Sequence, residues 1–300
     1  MTDLSQTISL ELSRAGFRPD PDYFSYICAR TQHFGELEYD LLRNEIGPEL
    51  GRRRRLAVRL LGFGHVMTEF VVAHRAFAER PDPAVLSLGS LANLIVSSYD
   101  GLLDSGQDPE EIPLRSRLTD SGIGQGSGDS LIARLVDLYL ARLSLLPHPH
   151  RQIHEILRRA ILRMYDAERA TVGEFEFSET NWRRKCALPF VIMGLPVWMT
   201  VPVPDAVVVR AHLAWLYRLG RFFGWIDDVS DLSEDLEAGR PNFFVSRRTL
   251  SGRRIARQGD LVLATWDEGA RPDRYSRTLR QTFFSVTWSW LGMNTSSSDP

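Results

Sequence analysis

Three hundred residues with 43% hydrophobic content can bury a sizeable core, and no low-complexity linker divides them, so one domain is expected. A formal net charge of −2 demands neither nucleic acid nor a membrane surface as partner. Two widely separated cysteines, Cys28 and Cys186, point to a reducing cytoplasm rather than a disulfide framework.

The opening MTDLSQTISLELSRAG is polar and amphipathic and lacks the charged-then-apolar order of a signal peptide. No stretch is apolar and uncharged for long enough to span a bilayer. Asp22–Glu45 reads as a helix after the start signal of Pro19 and Pro21. Arg52–Arg80 reads as a second helix, kinked at Gly62 and Gly64. Its leading arginines, Arg52 to Arg55, suit either an acidic partner or a solvated helix start. Asp82 begins a third helix, apolar from Val85 to Leu103. Ser105–Gly128 is a connector or part of a mobile lid; its glycines follow no strand, so a dinucleotide loop is excluded.

Ser130–Leu146 and His150–Val172 read as two helices around PHPH. His150 and His154 share the i, i+4 spacing of zinc ligands, but no further ligand cluster supports them, and surface histidines are the expectation. In MYDAE, Asp166 and Glu168 read as polar contacts at the edge of the core, with a place facing the active site as the alternative. Ser178 suits the N-cap of the next helix, whose first turns carry Arg183, Arg184 and Lys185. Pro189 and Gly194–Pro196 should kink or break that helix. VPVPDAVVVR reads as a connector and first turn leading into the apolar helix Ala206–Ile226. Gly239–Arg240–Pro241 is a turn, the basic segment to Gly259 an irregular candidate lid, and Asp273–Leu291 a final helix. Asn294–Pro300 reads as a disordered tail. Helical periodicity throughout and scarce strand signals predict an all-α fold.

Two of these helices end in acid. SYDGLLD places Asp100 and Asp104 at i and i+4, on the face that Gly89, Asn93 and Val96 occupy further back. WIDDVSDLSEDLEAGRPNFF, Trp225 to Phe244, places Asp227, Asp231 and Asp235 at i, i+4 and i+8 if the helix continues, with Asp228 turned about 100° aside. Carboxylates at a helix C-terminus oppose the macrodipole. A solvated acidic helix end is the bland explanation. Hard oxygen ligands at this spacing also suit magnesium, which keeps several waters and bridges to substrate phosphates. An EF-hand is excluded, since its glycine and bidentate Glu spacing are missing. If the two helices lie side by side, their carboxylates converge at the mouth of an apolar cavity.

The ordered pair, DxxxD followed more than a hundred residues later by IDDVSD, resembles the class I isoprenoid synthases. DDVSD, Asp227 to Asp231, is similar to the DDxxD of trans-prenyltransferases. Asp227, Asp231 and Asp235 also fall in the register of the NDxxSxxxE metal triad of terpene cyclases. The two stretches together look most like the bacterial large-terpene cyclases typified by tetraprenyl-curcumene synthase, although Ser97 stands where that branch usually has one more Asp. The resemblance implies a single isoprenoid-synthase-like helical bundle over residues 1–293 with a central apolar cavity. It implies magnesium, three ions bound with the substrate diphosphate, on Asp100, Asp104, Asp227, Asp231 and Asp235. Lys185 or Arg184 matches the basic diphosphate-sensing position, and Arg240 is placed to close over the diphosphate. Arg274–Tyr275 resembles the RY pair of many bacterial cyclases, though closer to the metal triad than usual.

A carbocation needs a dry wall of π faces, for which Phe190, Trp198, Leu216, Phe223 and Trp288 are candidates, with Trp225, Phe283, Phe284 and Trp290 behind them. Each is also plausible as ordinary core. The expected activity is cyclisation of a linear prenyl diphosphate of C15 to C25, geranylgeranyl diphosphate foremost, by a monomer or homodimer with no nucleic-acid partner. The alternatives are a trans-prenyltransferase that adds isopentenyl diphosphate, and a catalytically silent interaction protein of the same fold. Against the first, only Arg115 and Arg117 follow the first motif, where an Arg-Arg pair is usual. Lys185→Ala is expected to impair turnover and leave the fold intact.

Overall fold

Side-chain carboxylates and hydroxyls start the helices. Asp20 Oδ1 accepts from the Asp22 and Tyr23 amides, both at 3.0 Å. Asp82 Oδ1 accepts from Ala84 N at 2.8 Å, and Asp205 Oδ1 from Val207 N at 2.7 Å. Ser130 and Ser178 do the same for their helices. Each cap satisfies a backbone donor that has no partner within its own helix.

The computed structural model describes residues 3–18, 20–46, 54–72, 81–104, 130–173, 177–240, 242–246, 252–267 and 274–293. Among them there is no strand, and the α-helices are α1 (Asp3–Arg14), α2 (Pro21–Ile46), α3 (Arg54–Val72), α4 (Pro83–Asp104), α5 (Leu131–Ser144), α6 (Arg151–Gly173), α7 (Glu179–Gly194), α8 (Ala206–Ser230), α9 (Leu232–Ala238), α10 (Phe243–Ser246), α11 (Gly252–Asp267) and α12 (Arg274–Met293). The fold is all-α, built round one continuous apolar core that draws on α1 through α12. No helix among the described residues is long and apolar enough to cross a membrane. The candidate connector at 105–129, the residues 73–80 expected to extend α3, and the tail at 294–300 lie outside the described residues.

Two groups of helices make the interior. In the first, α3 packs between α2 and α4. Gly62 and Gly64 belong here. A Cβ at Gly62 would fall inside the van der Waals shell of the Thr31 carbonyl on α2, and one at Gly64 would lie 2.7 Å from Asn93 Cβ on α4. The helix is continuous through both, so these glycines serve close approach of three backbones. Gly62→Ala should therefore force α2 and α3 apart. We expect a loss of about 1–3 kcal/mol, read as a lower thermal midpoint with the helical circular-dichroism signal of the folded state unchanged.

In the second group, α7 packs against both α6 and α8. Pro189 lies inside α7, and a 3-10 turn, Leu195–Thr200, follows directly with Pro196 near its start. The segment expected to be an irregular lid up to Gly259 is in part α11. Ile255, Ala256, Val262 and Leu263 form its buried stripe, and Trp215 Nε1 on α8 donates to Val262 O at 3.0 Å. The arginines that suggested irregularity, Arg253, Arg254 and Arg257, occupy its exposed side.

The N-terminal helix is tied into this core by Phe17. Past α1 the chain turns through Gly16, at φ 90°, and folds Phe17 inward to 1% exposure. Its ring packs against Phe222, Phe283 and Phe284, with centroids 4.8–6.0 Å away. Trp288 Nε1 on α12 donates to the Phe17 carbonyl at 2.7 Å.

Candidate active site

Helix α8 carries Phe223 and Asp227 one turn apart on its buried side. It ends at Ser230 rather than continuing, and α9 starts after Asp231. The helical step nevertheless survives the junction: Asp231 N donates to Asp227 O and Asp235 N to Asp231 O, both at 2.9 Å. The three carboxylates of the second motif thus keep their register across a break. Gly239 then closes α9 in the left-handed conformation, φ 66°, and Arg240 N returns to Asp235 O at 2.8 Å.

Each carboxylate has its own partners. Asp227 Oδ1 accepts from Trp290 Nε1 on α12 at 2.8 Å. Asp235 accepts from Asn242 Nδ2 at 2.9 Å and pairs with Arg240 Nε at 3.2 Å. Arg240 therefore stands beside the second motif, where the sequence placed it. Asp228 turns to the other side of the helix. Its Oδ2 accepts from Trp182 Nε1 at 2.7 Å and from Phe243 N at 3.2 Å, and its backbone carbonyl accepts from Asn242 Nδ2 at 2.7 Å. Burial, then the neighbouring Asp227, push its carboxyl up to about 8.

Among the described residues the two acidic helices do not pack side by side, the condition under which the sequence reading had their carboxylates converge. Helix α7 lies against both, and one of its side chains spans the gap. Lys185 Nζ is 3.1 Å from Asp100 Oδ1 on α4 and 2.9 Å from Glu168 Oε2 on α6. Glu168 is 3% exposed, and burial lifts it to about 7 although Lys185 pulls it down. Of the two basic residues weighed for this position, Lys185 reaches the cluster, while Arg184 is exposed. The backbone of Asp104 ends α4, and those of Arg274 and Tyr275 begin α12; their side chains lie outside the described residues.

Negative charge is crowded here. Asp227 and Asp231 are both raised, first by burial; Lys185 works against this at Asp227, while Asp100 and Asp235 add to it at both. Among the described residues no three His, Cys, Asp or Glu side chains stand close enough to hold an ion by themselves. A hard ion such as magnesium is typically taken through one or two carboxylates and completed by water and substrate phosphate. Asp100, Asp227, Asp231 and Asp235 are the donors such an ion would use, and all offer oxygen.

Below the carboxylates lies an aromatic run. Phe190 stacks on Phe223 at 5.4 Å and 15°, and Phe223 stacks on Trp290 at 5.2 Å and 25°. Trp290, third in this run, is the residue that bonds Asp227. Leu216, two turns back on α8, is fully buried and faces Gly194. Trp198 is committed elsewhere: its Nε1 donates to His212 Nδ1 at 2.9 Å. Trp288 is likewise committed, to Phe17. Of the wall candidates, Trp290 reaches Asp227 directly, and Phe223 and then Phe190 follow it in the stack. Sequence reasoning set Glu168 at the core edge and Trp290 behind the first wall candidates; the structure places Glu168 against Lys185 and Trp290 against Asp227. Glu168 had a readable signal, because it continues the buried stripe Leu157, Ile161, Met164 of α6 at helical spacing. No family model and no curated protein matches this chain.

Proposed function

We propose that the chain is a class I terpene cyclase, which ionises a linear prenyl diphosphate with magnesium and closes the hydrocarbon chain on itself with release of diphosphate. The observation that carries this reading is that Lys185 pairs with Asp100 and stands near Asp227, the residue on which the Phe190–Phe223–Trp290 run ends. An anion-binding end and a π-rich end then share one wall. Asp100, Asp227, Asp231 and Asp235 would hold magnesium, which supplies charge to stabilise the leaving diphosphate. Lys185 and Arg240 add fixed positive charge to the same end. Phe190 and Phe223 offer ring faces to a cation and keep water from it.

The test is direct. Incubation with C10 to C25 prenyl diphosphates and magnesium, each with and without isopentenyl diphosphate, is followed by gas chromatography–mass spectrometry. We expect a cyclic hydrocarbon or alcohol from a single prenyl diphosphate. A longer diphosphate formed only with isopentenyl diphosphate would replace this reading with a chain-elongating prenyltransferase.

A further inference from the structure

Glu168 belongs to neither acidic motif, yet its relative exposure of 3% is one that no described carboxylate of the two motifs matches. Lys185 therefore has two anions of different character. Asp100 sits at the open side, its side chain 45% exposed; Glu168 sits inside, its side chain 3% exposed. An ammonium and a metal ion at Asp100 compete for the same oxygens. Among the described residues, Lys185 is the cation paired with Asp100. We propose that Glu168 is a positioning residue: it tethers the Lys185 ammonium so that magnesium can displace it from Asp100 and the diphosphate can receive it. This rests on the terpene cyclase reading.

The consequence is a coupling between ligands. Magnesium alone must break the Lys185–Asp100 contact and leave the ammonium one anion fewer, with Glu168 still holding it. Magnesium with a diphosphate gives that ammonium a new anion within reach of its tether. Without Glu168, Lys185 keeps Asp100 as its ion-pair partner among the described residues and holds it harder. The two ligands should therefore bind far better together than apart, a reciprocal coupling.

Isothermal titration with magnesium alone, and with magnesium plus inorganic pyrophosphate, tests this on the full chain. Wild type should bind magnesium weakly and magnesium pyrophosphate tightly. Lys185→Gln should tighten magnesium alone by about tenfold and weaken magnesium pyrophosphate by about tenfold, the scale of outer-sphere effects on metal sites. Glu168→Gln should weaken both. Glu168→Asp, which keeps the charge and shortens the reach, should fall between Glu168→Gln and wild type; a purely electrostatic role would leave it at wild type. Arg183→Gln removes one nearby positive charge from an exposed residue paired with Glu179, and should change neither titration. If Glu168→Gln does not fold, the double variant Glu168→Gln, Lys185→Gln removes both charges, and it should match the single Lys185→Gln with magnesium alone. Wild-type binding with Glu168→Gln unaltered, or Lys185→Gln weakening both titrations alike, would overturn the tether alone. A folded wild type that ignores magnesium pyrophosphate would overturn the diphosphate reading and the tether with it.

Discussion

Asp227→Asn should lower turnover of geranylgeranyl diphosphate by at least ~100-fold, with Asp231→Asn and Asp235→Asn beside it, since loss of even an outer partner of a metal typically costs 10–100-fold. Asp228→Asn should be mild. The two residues are adjacent, and the substitution is nearly isosteric. What separates them is where the carboxylates go. Asp227 faces Asp100, Lys185 and the aromatic run, while Asp228 faces Trp182 and the Phe243 amide. Both of those donors bond one oxygen, Oδ2, so an Asn carbonyl in that place preserves both contacts. Burial already favours the neutral form of Asp228, with its carboxyl at about 8, so little charge is lost at pH 7. Steady-state kinetics on the four variants decides the matter. Equal, small losses at all four would make this face a solvated helix end and remove the metal from the mechanism.

Lys185→Ala should abolish turnover and also destabilise the fold, contrary to the sequence expectation that the fold would be indifferent. The reason is Glu168. Removing the ammonium leaves a buried carboxylate without its cation, and breaking one side of a buried pair costs about 3–5 kcal/mol. Protonation limits that loss. In the folded state Glu168 titrates at about 7, above the ordinary 4.5, and without Lys185 it rises further. A carboxyl raised in the folded state destabilises the fold as pH climbs from the unfolded value through the folded one. The variant should therefore melt well below wild type at pH 8 and close much of the gap at pH 5. Equal deficits at both pH values would mean that Glu168 is not the group left behind.

Much of the site was legible because its ingredients are local. Carboxylates four residues apart at the end of an apolar helix are visible in any window of the chain, and so was the cap at Ser178. The helical step from Asp227 to Asp235 was read correctly, though the break at Asp231 was not, because a helix junction that preserves its hydrogen-bond ladder leaves little mark on periodicity. What could not be read was who meets whom. Nothing local says that α7, rather than α8, lies against α4, and so nothing assigned Asp100 to Lys185. Trp290 was one aromatic among several until α12 was docked. Helix α11 was missed for a different reason: its arginines and two glycines drew attention from the spacing of Ile255, Ala256, Val262 and Leu263.

The anchoring of Phe17 bears on how the molecule assembles during synthesis. Its partners lie far along the chain: the Trp288 indole that holds its carbonyl is 271 residues away, and Gln281, which bonds the Asp20 amide, is 261 away. Translation proceeds at roughly 5–20 residues per second. The inward face of α1, with Ile8 and Leu12, and Phe17 just after it thus wait many seconds for the surface they will cover. Over that interval this apolar surface stays uncovered, the kind that makes an incomplete chain prone to aggregate, and the aromatic interior beneath Asp227 can close only after α12 has left the ribosome.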